Sequence, residues 1–93
     1  SNKMIFGLWL WEAGKTRKIF SAEGGLRLLG WSNSGEEILL EATDGVMNQM
    51  PLDVKLLKVA LTGESRILTI FRNVYASTMT LSADGKTVAF TAR

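Results

Sequence analysis

The sequence predicts an all-β fold of short antiparallel strands stacked in more than one layer, and three observations predict it. Gly14, Gly24 with Gly25, Gly35 and Gly45 punctuate the chain about every ten residues, and Gly63, Asn73 and Gly85 continue the pattern more loosely. The segments between them are rich in β-branched and aromatic residues. Several of those segments are apolar on both faces, as a strand buried from two sides must be.

Taken in order, the candidate strands are IFGLWLWEA, TRKIFSA, LRLLGWS, EEILLEAT, VKLLKVAL, SRILTIFR, STMTLS and TVAFTAR. Alternation sets Leu8 and Leu10 against Trp9 and Trp11, Ile38 and Leu40 against Leu39, and Ile67 and Phe71 against Leu68 and Ile70. Only Lys58, Ala60 and Thr62, beside Val59 and Leu61, begin the alternation of a sheet with one wet face. The run VMNQMPLDVKLLKVAL competes as a helix, but Pro51 interrupts it, so a longer loop followed by a strand is expected. Residues 45–53 are then the one long connection, with Met47, Met50 and Leu52 packing back onto the sheet as core filling.

The 93 residues, 46% hydrophobic, suffice for a single domain. So short a chain buries only about 60 to 65% of its unfolded surface, which presses exposed apolar faces toward partners. The net charge of +2 arises from 11 basic and 9 acidic residues that are interspersed, so nucleic acid is not implied. There is no cysteine, hence no disulfide, thiolate metal site or thiol nucleophile, which suits a periplasmic or a cytoplasmic location equally. No apolar run approaches the roughly 20 residues of a membrane-spanning helix, so no membrane is implied. Ser1 and Asn2 read as the remnant of an expression tag, which points to a piece of a longer protein occupying residues 3–93.

The second half of the chain repeats the first. WSNSGEEILLEA, from Trp31, lies on LSADGKTVAFTA, from Leu81, with Gly35 on Gly85. Nearly the same shift lays LWLWEAGKTRKI on LKVALTGESRIL, bringing Gly14 onto Gly63 and Arg17 onto Arg66. Two motifs recur in the same order at a period of about 50 residues, four strands to a period, as in the blades of a propeller. The turn has a physical reason: Asp84 accepts backbone N–H bonds across it, Ser82 caps it, and Gly85 supplies a positive φ.

LSADGKTVAF resembles the TolB-like, WD-repeat-like propeller motif, in which an apolar or aromatic residue precedes Ser-Pro-Asp-Gly, a basic residue and an apolar strand. WSNSGEEILL resembles a weaker copy, and LTGESRILT the turn and outer strand that follow. Asn33 and Ser34 stand where the family has Pro and Asp, and Ala83 where it has Pro. The resemblance implies antiparallel four-stranded blades, about two of them. Residues 4–22 would be the outer strands of one, 26–71 a complete blade carrying the 45–53 loop, and 76–93 the inner strands of another. Two blades leave large apolar faces, so the resemblance also implies a homo-oligomeric ring or a fragment whose parent supplies the missing blades. Family members are sensor or docking platforms, often fused in bacteria to regulators, kinases or peptidases.

The search for chemistry is mostly exclusion. Without histidine there is no Ser-His-Asp triad, imidazole base or His metal site, and no serine lies in a Gly-x-Ser-x-Gly or Ser-x-x-Lys element. Glu36, Glu37, Glu41 and Asp44 make the densest acidic stretch, but their spacing fits no calcium loop, and solvated charges are the plainer reading. Gly24 and Gly25 lack the lysine and helix of a phosphate loop. Trp9, Trp11 and Trp31, with Phe6, Tyr75 and Phe90 and the basic Lys15, Arg17 and Lys18, are the candidate binding residues for a stacking surface, although filling the gaps between layers is the more ordinary task of such tryptophans.

The sequence is therefore read as a non-enzymatic protein-interaction, scaffolding or ligand-sensing module with no cofactor or metal, whose partner is another protein or itself. The alternatives are a gating propeller segment of an oligopeptidase-like hydrolase and a small β-sandwich or barrel that binds sugar or peptide.

Overall fold

In a computed structural model, residues 4–43, 52–75 and 78–92 are described. They form eight strands and no helix: β1 Ile5–Glu12, β2 Lys15–Glu23, β3 Gly25–Trp31, β4 Glu37–Thr43, β5 Leu52–Ala60, β6 Ser65–Val74, β7 Thr80–Leu81 and β8 Val88–Ala89. Each predicted strand segment overlaps one of them. Met47 and Met50 lie outside the described residues. Leu52 belongs to β5, so that strand begins earlier than the expected loop allows.

Among the described residues every strand ladder is antiparallel and joins chain neighbours, giving a sheet β1-β2, a sheet β3-β4-β5-β6 and a sheet β7-β8, and an isolated antiparallel bridge links Val74 to Ala92. The four-stranded sheet is the middle layer. On one face, Ile38, Leu40, Ala42, Leu57 and Val59 pack with Leu8, Leu10, Ile19 and Phe20 of the β1-β2 layer. On the other, Leu39, Val54, Leu56 and Val74 pack with Met79, Leu81 and Val88 of the β7-β8 layer. The two-sided apolar character of β4 thus has its cause in cover from both sides, and all its residues after Glu37 are buried. The sheets do not close into a barrel.

Strict alternation fails in β6. Leu57 pairs with Ile67 and Leu56 with Thr69, so Leu68 is an extra residue in a bulge. Ile67 and Ile70, opposite Leu57 and Lys55, consequently share the face toward β1-β2, whereas Phe71, opposite Val54, turns to the other. The expected grouping of Ile67 with Phe71 is corrected by that one inserted residue.

The repeated turns share their backbone bonds and a side-chain bond across the turn, and the second adds a bond from the Thr87 N–H to Ser82 Oγ. Between β3 and β4 the Ser32 N–H donates to the Glu37 carbonyl at 2.8 Å and the Gly35 N–H to the Ser32 carbonyl at 3.0 Å. Between β7 and β8, Ser82 N–H to Thr87 carbonyl measures 2.8 Å and Gly85 N–H to Ser82 carbonyl 2.9 Å. Ser34 Oγ accepts from the Glu36 N–H, as Asp84 Oδ1 accepts from the Lys86 N–H. The second turn also packs against the first: a Cβ on Gly85 would stand 2.9 Å from Asn33 N and 3.0 Å from the Trp31 carbonyl oxygen.

The other repeat is offset by one residue in its first strand. β1 and β2 are joined by Ala13 and Gly14, both at positive φ, in a two-residue turn. β5 and β6 are joined by Leu61, Thr62 and Gly63, a three-residue turn in which the Ala60 N–H donates to the Glu64 carbonyl. Glu12 therefore corresponds to Ala60 and Leu8 to Leu56, one position from the uniform alignment, while Gly14 still meets Gly63 and Arg17 still meets Arg66.

Candidate interaction surface

The three sequence-selected tryptophans lie at the surface instead of filling gaps between layers: Trp9 is 58%, Trp11 73% and Trp31 52% exposed. The reason is period two. Leu8 and Leu10 take the face of β1 that meets the middle sheet, which turns Trp9 and Trp11 outward together. Lys18, opposite Trp9 in β2, lies over its ring at 5.7 Å, a cation–π contact. A Cβ on Gly7 would come within 2.9 Å of both Trp9 Nε1 and Lys18 Cδ, so the bare backbone there is what lets these side chains lie across the sheet. Trp31 closes β3 and belongs to a different layer.

The remaining aromatics divide. Phe90 and Phe71 meet with ring centroids 4.5 Å apart, tilted by 46°, and bridge the β7-β8 layer to the middle sheet. Phe6 and Tyr75 are exposed. Of the basic trio, Lys18 serves Trp9, and Arg17 Nη1 donates to the Leu61 carbonyl at 3.1 Å, tying the β1-β2 hairpin to the β5-β6 turn. Lys15 is exposed beside the β1-β2 turn.

The acidic stretch is occupied by structure. Glu37 lies 3.6 Å from Lys58 Nζ and 3.8 Å from Arg66 Nη2, across three neighbouring strands. Glu41 is buried, and its Oε1 accepts from Arg27 Nε at 3.2 Å. Arg27 Nη2 also donates to the Met79 carbonyl, so a single guanidinium joins β3, β4 and the β7-β8 layer. This pairing escaped the sequence reading, although an arginine and a glutamate at register positions of one hairpin, each amid apolar residues, were its signal. Asp44 lies outside the described residues. Gly24, at φ 94, donates its N–H to the Met4 carbonyl, one step beyond the Ile5–Glu23 pair, and so ends the β1-β2 ladder just before the chain enters β3.

Asp84, fully exposed, has its carboxyl held below the usual value of 3.8, first by the Ser82 hydroxyl, which donates to it at 2.6 Å, and then by the Lys86 N–H. An open groove of about 490 Å³ between β2 and β5-β6 is lined by Phe20, Ala42, Leu57 and Ile67 with Lys55 and Arg66. Among the described residues, no group of three acidic side chains is placed to hold a metal ion. What the surface offers is open strand edges and outward apolar side chains. Comparison with family models, curated proteins and solved structures gives no match.

Proposed function

We propose that the chain is a non-catalytic interaction module of the TolB-like propeller kind, one complete blade flanked by two half-blades, which works by covering its apolar sheet surfaces with protein. The observation that carries this reading is the repetition itself. The β7-β8 turn reproduces the β3-β4 turn and stacks on it, as successive units of a radially repeated sheet fold do. The outward Trp9, Trp11 and Ile5, with Ile67 exposed in the groove beside β2, supply the apolar surface to be covered. On this reading the chain scaffolds an assembly, and its unfilled layers are its binding equipment.

Absolute mass in solution, measured by light scattering on a sizing column, tests it. A stable, discrete oligomer is the expected result. A well-folded, monodisperse monomer at micromolar concentration overturns it.

A further inference from the structure

The two end sheets are the two halves of the middle one. β7-β8 corresponds to β3-β4 through the matching turns, and β1-β2 corresponds to β5-β6 once the turn-length difference is allowed for. In the middle sheet the halves are joined by β4 pairing with β5, Ile38 opposite Val59 and Leu40 opposite Leu57. Within one chain, β8 and β1 cannot repeat this join, because their layers cover opposite faces of the middle sheet. Resting on the reading above, we infer that β1 of a second copy of this chain pairs antiparallel with β8, placing Val88 opposite Trp11, Ala89 opposite Leu10 and Phe90 opposite Trp9.

Two features of the edges themselves fit this register. The first is the direction of the backbone groups. Thr87 and Thr91 turn theirs to the side of β8 on which β7 lies, where their carbonyls accept from the N–H groups of Ser82, just after β7, and Tyr75, just after β6, so those of Val88 and Phe90 point to the open edge of β8. Glu12 and Lys15 flank a two-residue turn as a hydrogen-bonded pair, so Trp11 and Trp9 point theirs to the open edge of β1. The residues placed opposite one another are thus the ones with bonds to give.

The second is the side-chain faces. Val88 faces the middle sheet, so Trp11 of the second copy faces it as well, and Trp9 of that copy joins the Phe71–Phe90 pair. The two exposed rings together bury roughly 200–330 Å² on pairing. That is a substantial part of the roughly 800 Å² a side of a specific interface. Thr87 falls opposite Glu12, which brings Lys86 and Glu12, of opposite charge, to neighbouring positions. The contact is continuous with the packing already present, since it extends β7-β8 with the strands that β3-β4 has beside it. It is also heterologous, so it closes into a ring or continues as a fibre.

The chain has no cysteine, which makes disulfide trapping clean. Thr87 and Glu12 are both exposed and form a pair without backbone hydrogen bonds, where Cα atoms stand about 4.5 Å apart, within disulfide reach. The double variant Thr87→Cys, Glu12→Cys, oxidised at micromolar concentration, is expected to run on a non-reducing gel as a ladder or closed multimer that collapses to one chain on reduction. The diagonal pair Ala89→Cys with Glu12→Cys, about 7–8 Å apart, is expected to remain unlinked. Circular dichroism of each variant confirms that the strands are retained. If light scattering gives an oligomer but only the diagonal pair, or neither pair, links, this edge pairing is overturned while the interaction module stands. A monomer overturns both.

Discussion

Gly35 and Gly85 form a controlled comparison supplied by the molecule. They occupy the same place in two matching turns, at φ 76 and φ 73, so an alanine at either incurs the same left-handed backbone cost of about 1–2 kcal/mol. Around Gly35 a Cβ meets nothing within 4 Å. Around Gly85 it meets Asn33 N at 2.9 Å, the Trp31 carbonyl oxygen at 3.0 Å and the Ser32 carbonyl carbon at 3.1 Å. These are backbone atoms of the next layer and cannot rotate away, so the β7-β8 hairpin must shift as a body, at a further cost of about 1–3 kcal/mol typical of overpacking. Gly35→Ala is therefore expected to lose about 1–2 kcal/mol and Gly85→Ala about 2–5 kcal/mol, out of a total of roughly 5–14 kcal/mol for a chain of this length. Urea unfolding followed by circular dichroism, at one fixed chain concentration, measures both. Equal losses in the two variants would refute the stacking of the turns, and with it the argument that the layers repeat.

Leu40→Ala, at a fully buried site in the middle of β4, is expected to cost about 2–5 kcal/mol by the same denaturation assay. Arg27→Ala leaves the buried Glu41 carboxylate without its guanidinium and releases the Met79 segment; since Arg27 is partly exposed, about 2 kcal/mol is expected in a thermal melt, below the 3–5 kcal/mol of a fully buried pair. The Asp84 carboxyl has a lowered folded value, so its contribution is fully present above pH 3.8 and is lost as pH falls through that lower value. The stability gap between the native chain and Asp84→Ala is accordingly expected to be constant near neutrality and to shrink below pH 3.8, in urea titrations at several pH values.

The strands were legible because glycine and small polar residues bracket apolar segments on a regular beat, and the doubly apolar β4 announced cover on both faces. What escaped was whatever a single residue alters. The bulge at Leu68 reverses the facing of half of β6, yet nothing in ILTIF distinguishes a bulged residue from a paired one. The third residue in the Leu61–Gly63 turn moves β1 one place along the repeat, because a turn changes length without changing its glycine. The tryptophans were expected inside on account of their size, but in a strand the face is set by parity, and Leu8 and Leu10 already held the inner one. Arg27 and Glu41 were readable separately as charges; their register, and hence their pairing, depended on the turn between them.

Among the described residues each strand of a sheet pairs only with its neighbours in the chain, and the Val74–Ala92 bridge is the longer-range addition that ties the end of β6 to the residues after β8. Closing hairpins costs little loop entropy, so the middle sheet can grow strand by strand from either of its outer turns, and topology of this sort favours quick folding. The end hairpins have no such support. Each has a strand on one side only, and each becomes worth forming once the middle sheet offers it a face. Opening would run in reverse: hydrogen exchange reaches β7-β8 and β1-β2 through partial unfolding, while β4 and β5 exchange only when the whole molecule lets go.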